Sequence, residues 1–354
     1  MLDVSPLFKY DFRGPDAAAC LSRLMTRNLS RLRIGRVAYS CWTDDDGNVI
    51  DDGTIARLES EHFRVTSASP CIHWFMRHGE DFDVSITDVS TSLASLAIQG
   101  PNARDVVQQV TDADLAHLRF FGVVAAKIAG YDGWITRTGY TGDLGYELWF
   151  PAEVALPVWD KLLEQGGRFG LMPVGLDALD ICRVEAGFVL QGVDYTSSLA
   201  AVTTSQKSTP YELGLGWTVD FSDRVPFIGQ EALQHEKTAG SKWAFVGLDI
   251  DWEATEKVYD AVGLPPSLPS GAWRDAIPVY SRGRQVGRAT SGAWSPLLKK
   301  SLALATVGAG FVEIGTRVDI EVTVEWERQT VPATVVATPF FDPARKRAYG
   351  DHVR

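Results

Sequence analysis

The stretch Arg137-Thr138-Gly139-Tyr140-Thr141-Gly142-Asp143-Leu144-Gly145-Tyr146-Glu147-Leu148-Trp149 decides how this chain is read. Three glycines lie between two runs of strand character, Trp134-Ile135-Thr136-Arg137 before them and Tyr146-Glu147-Leu148-Trp149-Phe150 after. Glycines this close together let a backbone turn tightly or approach a ligand. Glu147 then stands on a strand among aromatic and aliphatic neighbours, where a carboxylate is costly unless it is paired. A planar ligand with two parallel N–H donors, such as the aminopyrimidinone edge of a pterin, meets that need through a charge-assisted bidentate contact. The plain alternative is a hairpin with a glycine-rich turn and a rim glutamate.

Upstream of this stretch, Leu96 to Pro101 reads as a buried strand that stops at Gln99-Gly100-Pro101 and gives way to a helix over 102–110. Downstream, 154–165 has the spacing of an amphipathic helix, with Val158, Trp159, Leu162 and Leu163 on one face and Gly166-Gly167 to end it. A second helix over 176–187 places Leu176, Leu179, Cys182 and Ala186 on one face, with Gly187 as its C-cap. In this reading Arg183 and Glu185 form a structural ion pair or touch a ligand. Nearer the N-terminus, Gly14-Pro15-Asp16 opens a helix to about Arg27, and Gly35 to Trp42 and Val49 to Asp52 alternate as a strand pair. Their tip, Asp44-Asp45-Asp46-Gly47-Asn48, lacks the twelfth-position glutamate of a calcium loop and reads as a solvated turn. Phe63 to Ala68 is a strand, Trp74 to His78 a short helix, and 82–89 alternates. A helix starts near Phe227, and 235–242 reads as a polar linker. From Trp243 on, six short strands (245–250, 277–280, 285–290, 303–307, 318–324 and 330–336) predict a small barrel or Greek-key domain.

Composition narrows the class. A length of 354 residues, with 45% hydrophobic and 22% charged content, suits a two- or three-domain globular enzyme. The formal charge of −11 leaves no basic excess for general nucleic-acid binding. Cys20, Cys41, Cys71 and Cys182 show neither zinc spacing nor a disulfide framework, and a reduced, cytoplasmic setting is expected. No apolar run reaches the roughly 18 residues of a spanning helix, and neither a membrane partner nor a bound metal is expected.

The central stretch resembles the R-x-G-Y-T-G-E-x-G-x-E signature of the aminomethyltransferase family, which comprises the glycine cleavage T-protein and its folate-dependent demethylase relatives. Further motifs follow in the family's order. They are Asp3-Val4-Ser5, the Tyr39-Ser40 and Asp51-Asp52 pattern, Leu96 to Pro101, Arg183 to Gly187, Thr209 to Trp217, Phe227 to Leu233, Val286 to Lys300 and Pro339 to Pro343. The resemblance implies an α+β fold, with two α+β lobes around a central folate channel plus a C-terminal β-barrel. Residues 1–235 would form the folate-binding core and 243–354 the barrel, which carries an insertion at 252–273 with an acidic helix and a proline-rich loop. Asp3-Val4-Ser5 stands at the very start of the chain, so a shortened member is expected.

For function, the resemblance implies tetrahydrofolate as cofactor, with Glu147 on the pterin and Tyr140, Arg183 and Trp217 as further binding candidates. Leu179 stands where the family usually carries a folate-serving arginine. The family's acidic residue is sought just after the 63–68 strand, yet no Asp or Glu occurs from Arg64 to His78. His73 is the one acid–base candidate there, with an ordinary polar residue as the alternative. The leading expectation is a demethylase-like one-carbon transferase acting on a small-molecule donor. A true aminomethyltransferase served by a lipoyl carrier protein and a non-catalytic folate-binding protein are the alternatives.

Overall fold

The computed structural model describes residues 1–222 and 224–350. The chain forms two compact units. The first comprises Met1–Val174, Trp217–Ala232 and the stretch from Pro343 on; the second comprises Gly175–Gly216 and Leu233–Asp342.

Two five-stranded sheets make up the first unit. One sheet contains β2 (Phe8–Arg13), β3 (Arg36–Thr43), β4 (Val49–Glu59), β5 (His62–Ser67) and β6 (Ser85–Asp88), in the order β3-β4-β5-β2-β6. Helices α1 (Ala17–Leu24) and α2 (Ile72–Gly79) accompany it. Their core joins Tyr10, Phe12, Leu21, Trp42, Phe63 and Phe75. The other sheet contains β1 (Leu2–Asp3), β7 (Leu93–Gln99), β8 (Val123–Ile128), β9 (Tyr131–Thr136) and β10 (Gly145–Pro151), in the order β1-β7-β10-β9-β8. Helices α3 (Ala103–Gln108) and α4 (Ala155–Gly166) pack on it through Val106, Val107, Val158 and Leu162. The alternation of strand residues puts one apolar row into each core. A third cluster, Val37, Ala56 and Leu58 against Val123 and Trp149, joins the two sheets.

In the second unit, α5 (Leu176–Glu185) precedes the greater part of α6 (Gln230–Ala239), from Leu233 on, and a closed barrel. The barrel strands are β11 (Trp243–Ile250), β12 (Ile277–Ser281), β13 (Arg284–Ser295), β14 (Lys300–Gly308), β15 (Arg317–Val324) and β16 (Glu327–Val336), with α7 (Trp252–Asp260) after the first of them. Closure in the order β11-β14-β13-β12-β15-β16 leaves no unpaired edge. The acidic helix expected in the 252–273 insertion is α7, capped by the Asp251 carboxylate on the Ala254 amide.

Three local expectations fail. The segment 235–242 is no linker for most of its length, because α6 runs on to Ala239 and only then meets Gly240 at φ +84°. Helix α5 does not bury its leucine face: Leu176 is 66% exposed, while Asp180, Arg183, Val184 and Glu185 are buried. The expected Arg183–Glu185 pair is absent among the described residues. Arg183 instead pairs with Asp180 and Asp194, and Glu185 accepts from Ser295. Neighbours two apart on a helix point to different sides, which favours partners at i−3 and on other elements.

Candidate functional site

Glu147 sits in the middle of β10, between Ala97 of β7 and Thr136 of β9. Its side chain is partly exposed, and Oε2 accepts the Thr138 hydroxyl at 3.1 Å. The Thr136 hydroxyl lies 2.6 Å from that of Thr138. Burial pushes the Glu147 carboxyl above its ordinary range, opposed by the Thr138 hydrogen bond and the charge of Lys9. Lys9 is itself buried and donates to the carbonyls of Ser5 (3.0 Å) and Leu7 (2.8 Å). Burial lowers its pKa to about 8. A carboxylate with one oxygen held and the other without a protein donor among the described residues suits a ligand that presents N–H groups.

The glycine-rich stretch is shaped mostly by one side chain. A Cβ at Gly139 or Gly145 would fall about 2 Å from the Gln99 amide oxygen. Gln99 uses that room to donate to Thr138 O (3.3 Å) and Tyr146 O (3.5 Å) and to accept from the Thr141 hydroxyl (3.1 Å). Gly142 turns the chain at φ +75°. Two of the three glycines therefore make room for a protein amide, and the third turns the chain.

A second group gathers around Tyr39 of β3. Its hydroxyl donates to Asp52 Oδ2 at 2.6 Å, and its ring stacks on Trp217 with centroids 5.8 Å apart. Trp217 is 62% exposed, and the Arg27 guanidinium lies over its ring, 5.7 Å from the centroid. Burial raises the Tyr39 phenol well above its ordinary pKa, and the charges of Asp52, Cys41 and Tyr140 add to this. At neutral pH the phenol keeps its proton and donates it. Tyr140, the motif tyrosine, thus acts on the same group.

Sequence reasoning missed the carboxylates here. The segment after β5 contains none of its own, but its antiparallel neighbour β4 brings two. Asp51 is fully buried and accepts the Ser69 amide at 2.9 Å and the Asp52 amide at 2.8 Å. Gly53 makes the approach possible, since a Cβ there would lie 1.8 Å from the Thr66 carbonyl oxygen. The spacing Asp51-Asp52-Gly53 was the available signal. His73 is exposed on the first turn of α2, and among the described residues its ring has no hydrogen-bond partner.

Arg183 lies in the second unit and is fully buried. Nε donates to Asp180 (2.6 Å), Nη1 to Asp194 (2.7 Å) and Phe188 O (3.4 Å), and Nη2 to Ser291 (2.8 Å). Asp194 also accepts from the hydroxyls of Thr290 and Ser291. This network clamps α5 to β13. Among the described residues, no group of three or more His, Cys, Asp or Glu side chains is placed to hold a metal, and no helix is long and apolar enough to cross a membrane.

Comparison with known proteins agrees with the motif order. Residues 1–223 match the GCVT N-terminal domain, and residues 261–342 match the glycine cleavage T-protein C-terminal barrel domain. An aminomethyltransferase of Bacillus subtilis (strain 168) is 35% identical over 346 residues, covering 96% of this chain and 87% of that protein. One from Herpetosiphon aurantiacus is 34% identical over 352 residues, covering 98% and 88%. The crystal structure of glycine cleavage system aminomethyltransferase T from Bartonella henselae superposes with a TM-score of 0.81 at 24% identity, over 99% of this chain and 87% of that one, and has the same fold. The two sheets, the closed barrel and these relatives together make the chain a member of the glycine cleavage T-protein family, a family of transferase enzymes.

Proposed function

We propose that this protein is a tetrahydrofolate-dependent aminomethyltransferase that takes an aminomethyl group from a lipoyl carrier protein and releases ammonia. The observation that carries the reading is the Asp52–Tyr39 pair beside Trp217. The demethylase-like expectation rested on the lack of a carboxylate near β5, and β4 supplies that carboxylate from the next strand. The naming of the relatives as aminomethyltransferases supports the same choice.

Tetrahydrofolate, when bound, supplies the nitrogen that accepts the one-carbon unit. Glu147 fits its pterin: the oxygen not held by Thr138 accepts N–H donors, and the partial burial of the carboxylate strengthens that contact. Tyr140 and Trp217 offer aromatic surface for the cofactor. Arg183 acts instead as the clamp between α5 and the barrel, because its donors are spent on Asp180, Asp194, Ser291 and Phe188. Asp52 takes or returns the proton that must move as ammonia leaves. The protonated Tyr39 phenol orients that carboxylate. His73, exposed on α2, has no part in the step.

The test is incubation with tetrahydrofolate and an aminomethylated lipoyl protein, following ammonia and 5,10-methylenetetrahydrofolate. The wild type should release ammonia, and Asp52→Asn should lower kcat by roughly 10²–10⁴, the usual contribution of a positioned acid–base group. Turnover of methylated small molecules with silence on the lipoyl substrate would favour the demethylase-like chemistry and overturn this assignment.

A further inference from the structure

The residues from Pro343 onward return to the first unit and bind the motif stretch at two charged positions. Arg345 meets Asp143 with both prongs of its guanidinium, Nε to Oδ1 at 2.7 Å and Nη2 to Oδ2 at 2.6 Å. The side chains are 30% and 13% exposed, so the pair is shielded from water on most sides. Asp143 Oδ1 also accepts the Leu144 amide at 2.6 Å, which ties the turn to its own backbone. Arg137, at the other end of the motif, is buried at 1% exposure. Its Nη2 reaches the carbonyls of Arg345 (3.3 Å), Lys346 (3.2 Å) and Ala348 (2.7 Å), while Nη1 holds Leu118 O at 2.9 Å. Further along, the Gly350 amide donates to Ala116 O at 3.1 Å and its carbonyl accepts from Arg104 at 3.0 Å. The loop between Arg137 and Asp143 contains Thr138, which holds Glu147.

We propose that Arg345 is a positioning residue for the cofactor site: by fixing Asp143 from the C-terminal tail, it sets the motif loop and hence the Thr138–Glu147 contact. The residue is far from Glu147 in sequence and acts on it through the loop. Bidentate pairing restricts both distance and orientation, whereas a lysine at the same place would act as a single point charge. A carboxylate misaligned by even a fraction of an ångström loses the two-donor contact that gives pterin recognition its selectivity. The proposal rests on the reading of Glu147 as the pterin-binding residue, and its test has an arm that does not.

The experiment uses the full chain in four forms: wild type, Arg345→Ala, Asp143→Ala and the double variant, with Arg345→Lys and Glu147→Gln alongside. Amide hydrogen exchange of residues 139–146 without ligand and calorimetric titration with tetrahydrofolate are measured on each. Exchange across the loop should quicken in Arg345→Ala, and tetrahydrofolate affinity should fall about tenfold, within the usual range for coupled neighbours. The double variant should be no weaker than either single one, as expected when two residues act as one unit. Arg345→Lys should recover part of the affinity. Glu147→Gln should weaken binding with loop exchange unchanged. Unchanged exchange in Arg345→Ala, or additive losses in the double variant, would overturn the proposal. Should the wild type itself fail to bind tetrahydrofolate, the assignment of Glu147 falls, and the exchange arm still decides whether the tail holds the loop.

Discussion

The role proposed for Glu147 and its effect on stability pull in opposite directions at one residue. Its carboxyl is pushed above the ordinary range, chiefly by burial. A folded-state value above the unfolded one means the folded protein holds the proton more tightly. The ionised form then costs stability, and the loss grows as pH rises through the raised value. Glu147→Gln removes that cost but replaces one acceptor oxygen with a donor. The variant should melt no lower than the wild type at pH 7 without ligand, yet bind tetrahydrofolate about 1.5–3 kcal/mol more weakly, the range for a hydrogen bond to a charged group. Thermal denaturation and calorimetry read the two effects separately, and an unchanged affinity would remove Glu147 from the site. That glutamate was legible in the sequence because its strand and motif are local. Asp52 was not, because its partner Tyr39 comes from β3 and the ring stacked on Tyr39, Trp217, comes from far down the chain, and only folding brings them together.

At the scale of elements, local pattern predicted the strands well and misjudged the faces that carry charge. The six barrel strands fall where alternation put them, since each presents one apolar row to the interior. Helix α5 was misread because its packing face is ionic: Asp180, Arg183 and Glu185 meet hydroxyls on β13, and no periodicity of apolar residues announces that. A similar group lies between β2 and β5. Asp11 receives both prongs of Arg64, at 2.7 and 3.0 Å, and lies 2.8 Å from His62 Nε2, all of them nearly inaccessible to solvent. Burial alone would raise the Asp11 carboxyl. The His62 and Arg64 hydrogen bonds and the charge of Arg64 outweigh it and hold the pKa at about 2. Because the folded value lies below the unfolded one, the stabilisation is fully present above the ordinary aspartate pKa and is lost as pH falls toward 2. Its size is about 2 kcal/mol. Asp11→Asn leaves the buried Arg64 guanidinium short of a counter-charge and should be clearly less stable than the wild type at pH 6. The difference should shrink as pH is lowered from 5 toward 2, because the unfolded carboxyl takes up its proton first and the folded one only near 2. Chemical denaturation across that range measures it, and a constant difference would show that Asp11 is not the titrating group.

On the scale of the molecule, the order of the chain is not the order of its units. The sequence suggested a core to residue 235 followed by a barrel to the end, whereas the stretch from Pro343 belongs with the first unit. Charge explains the return. Arg137 is buried beneath the tail, and three of its acceptors are carbonyls of that tail. A chain ending at Asp342 would strand this guanidinium with only the Leu118 carbonyl, and would leave Asp143 without Arg345. Stranding one buried charge costs about 3 kcal/mol at the lower end of the usual range, the end that applies where water can enter the vacated space. For a protein of this size that corresponds to a melting point lower by roughly 4 °C. The cause can be separated from simple loss of contact area. In the full-length chain, Arg137→Met should destabilise, because it abandons four hydrogen bonds. In the truncated chain the same substitution should restore part of the lost melting temperature, because it removes the orphaned charge and keeps the volume. A truncated protein that melts with the wild type would mean that the tail bears none of this load. Further destabilisation of the truncated chain by Arg137→Met would mean that the buried guanidinium is not what the tail is there to satisfy.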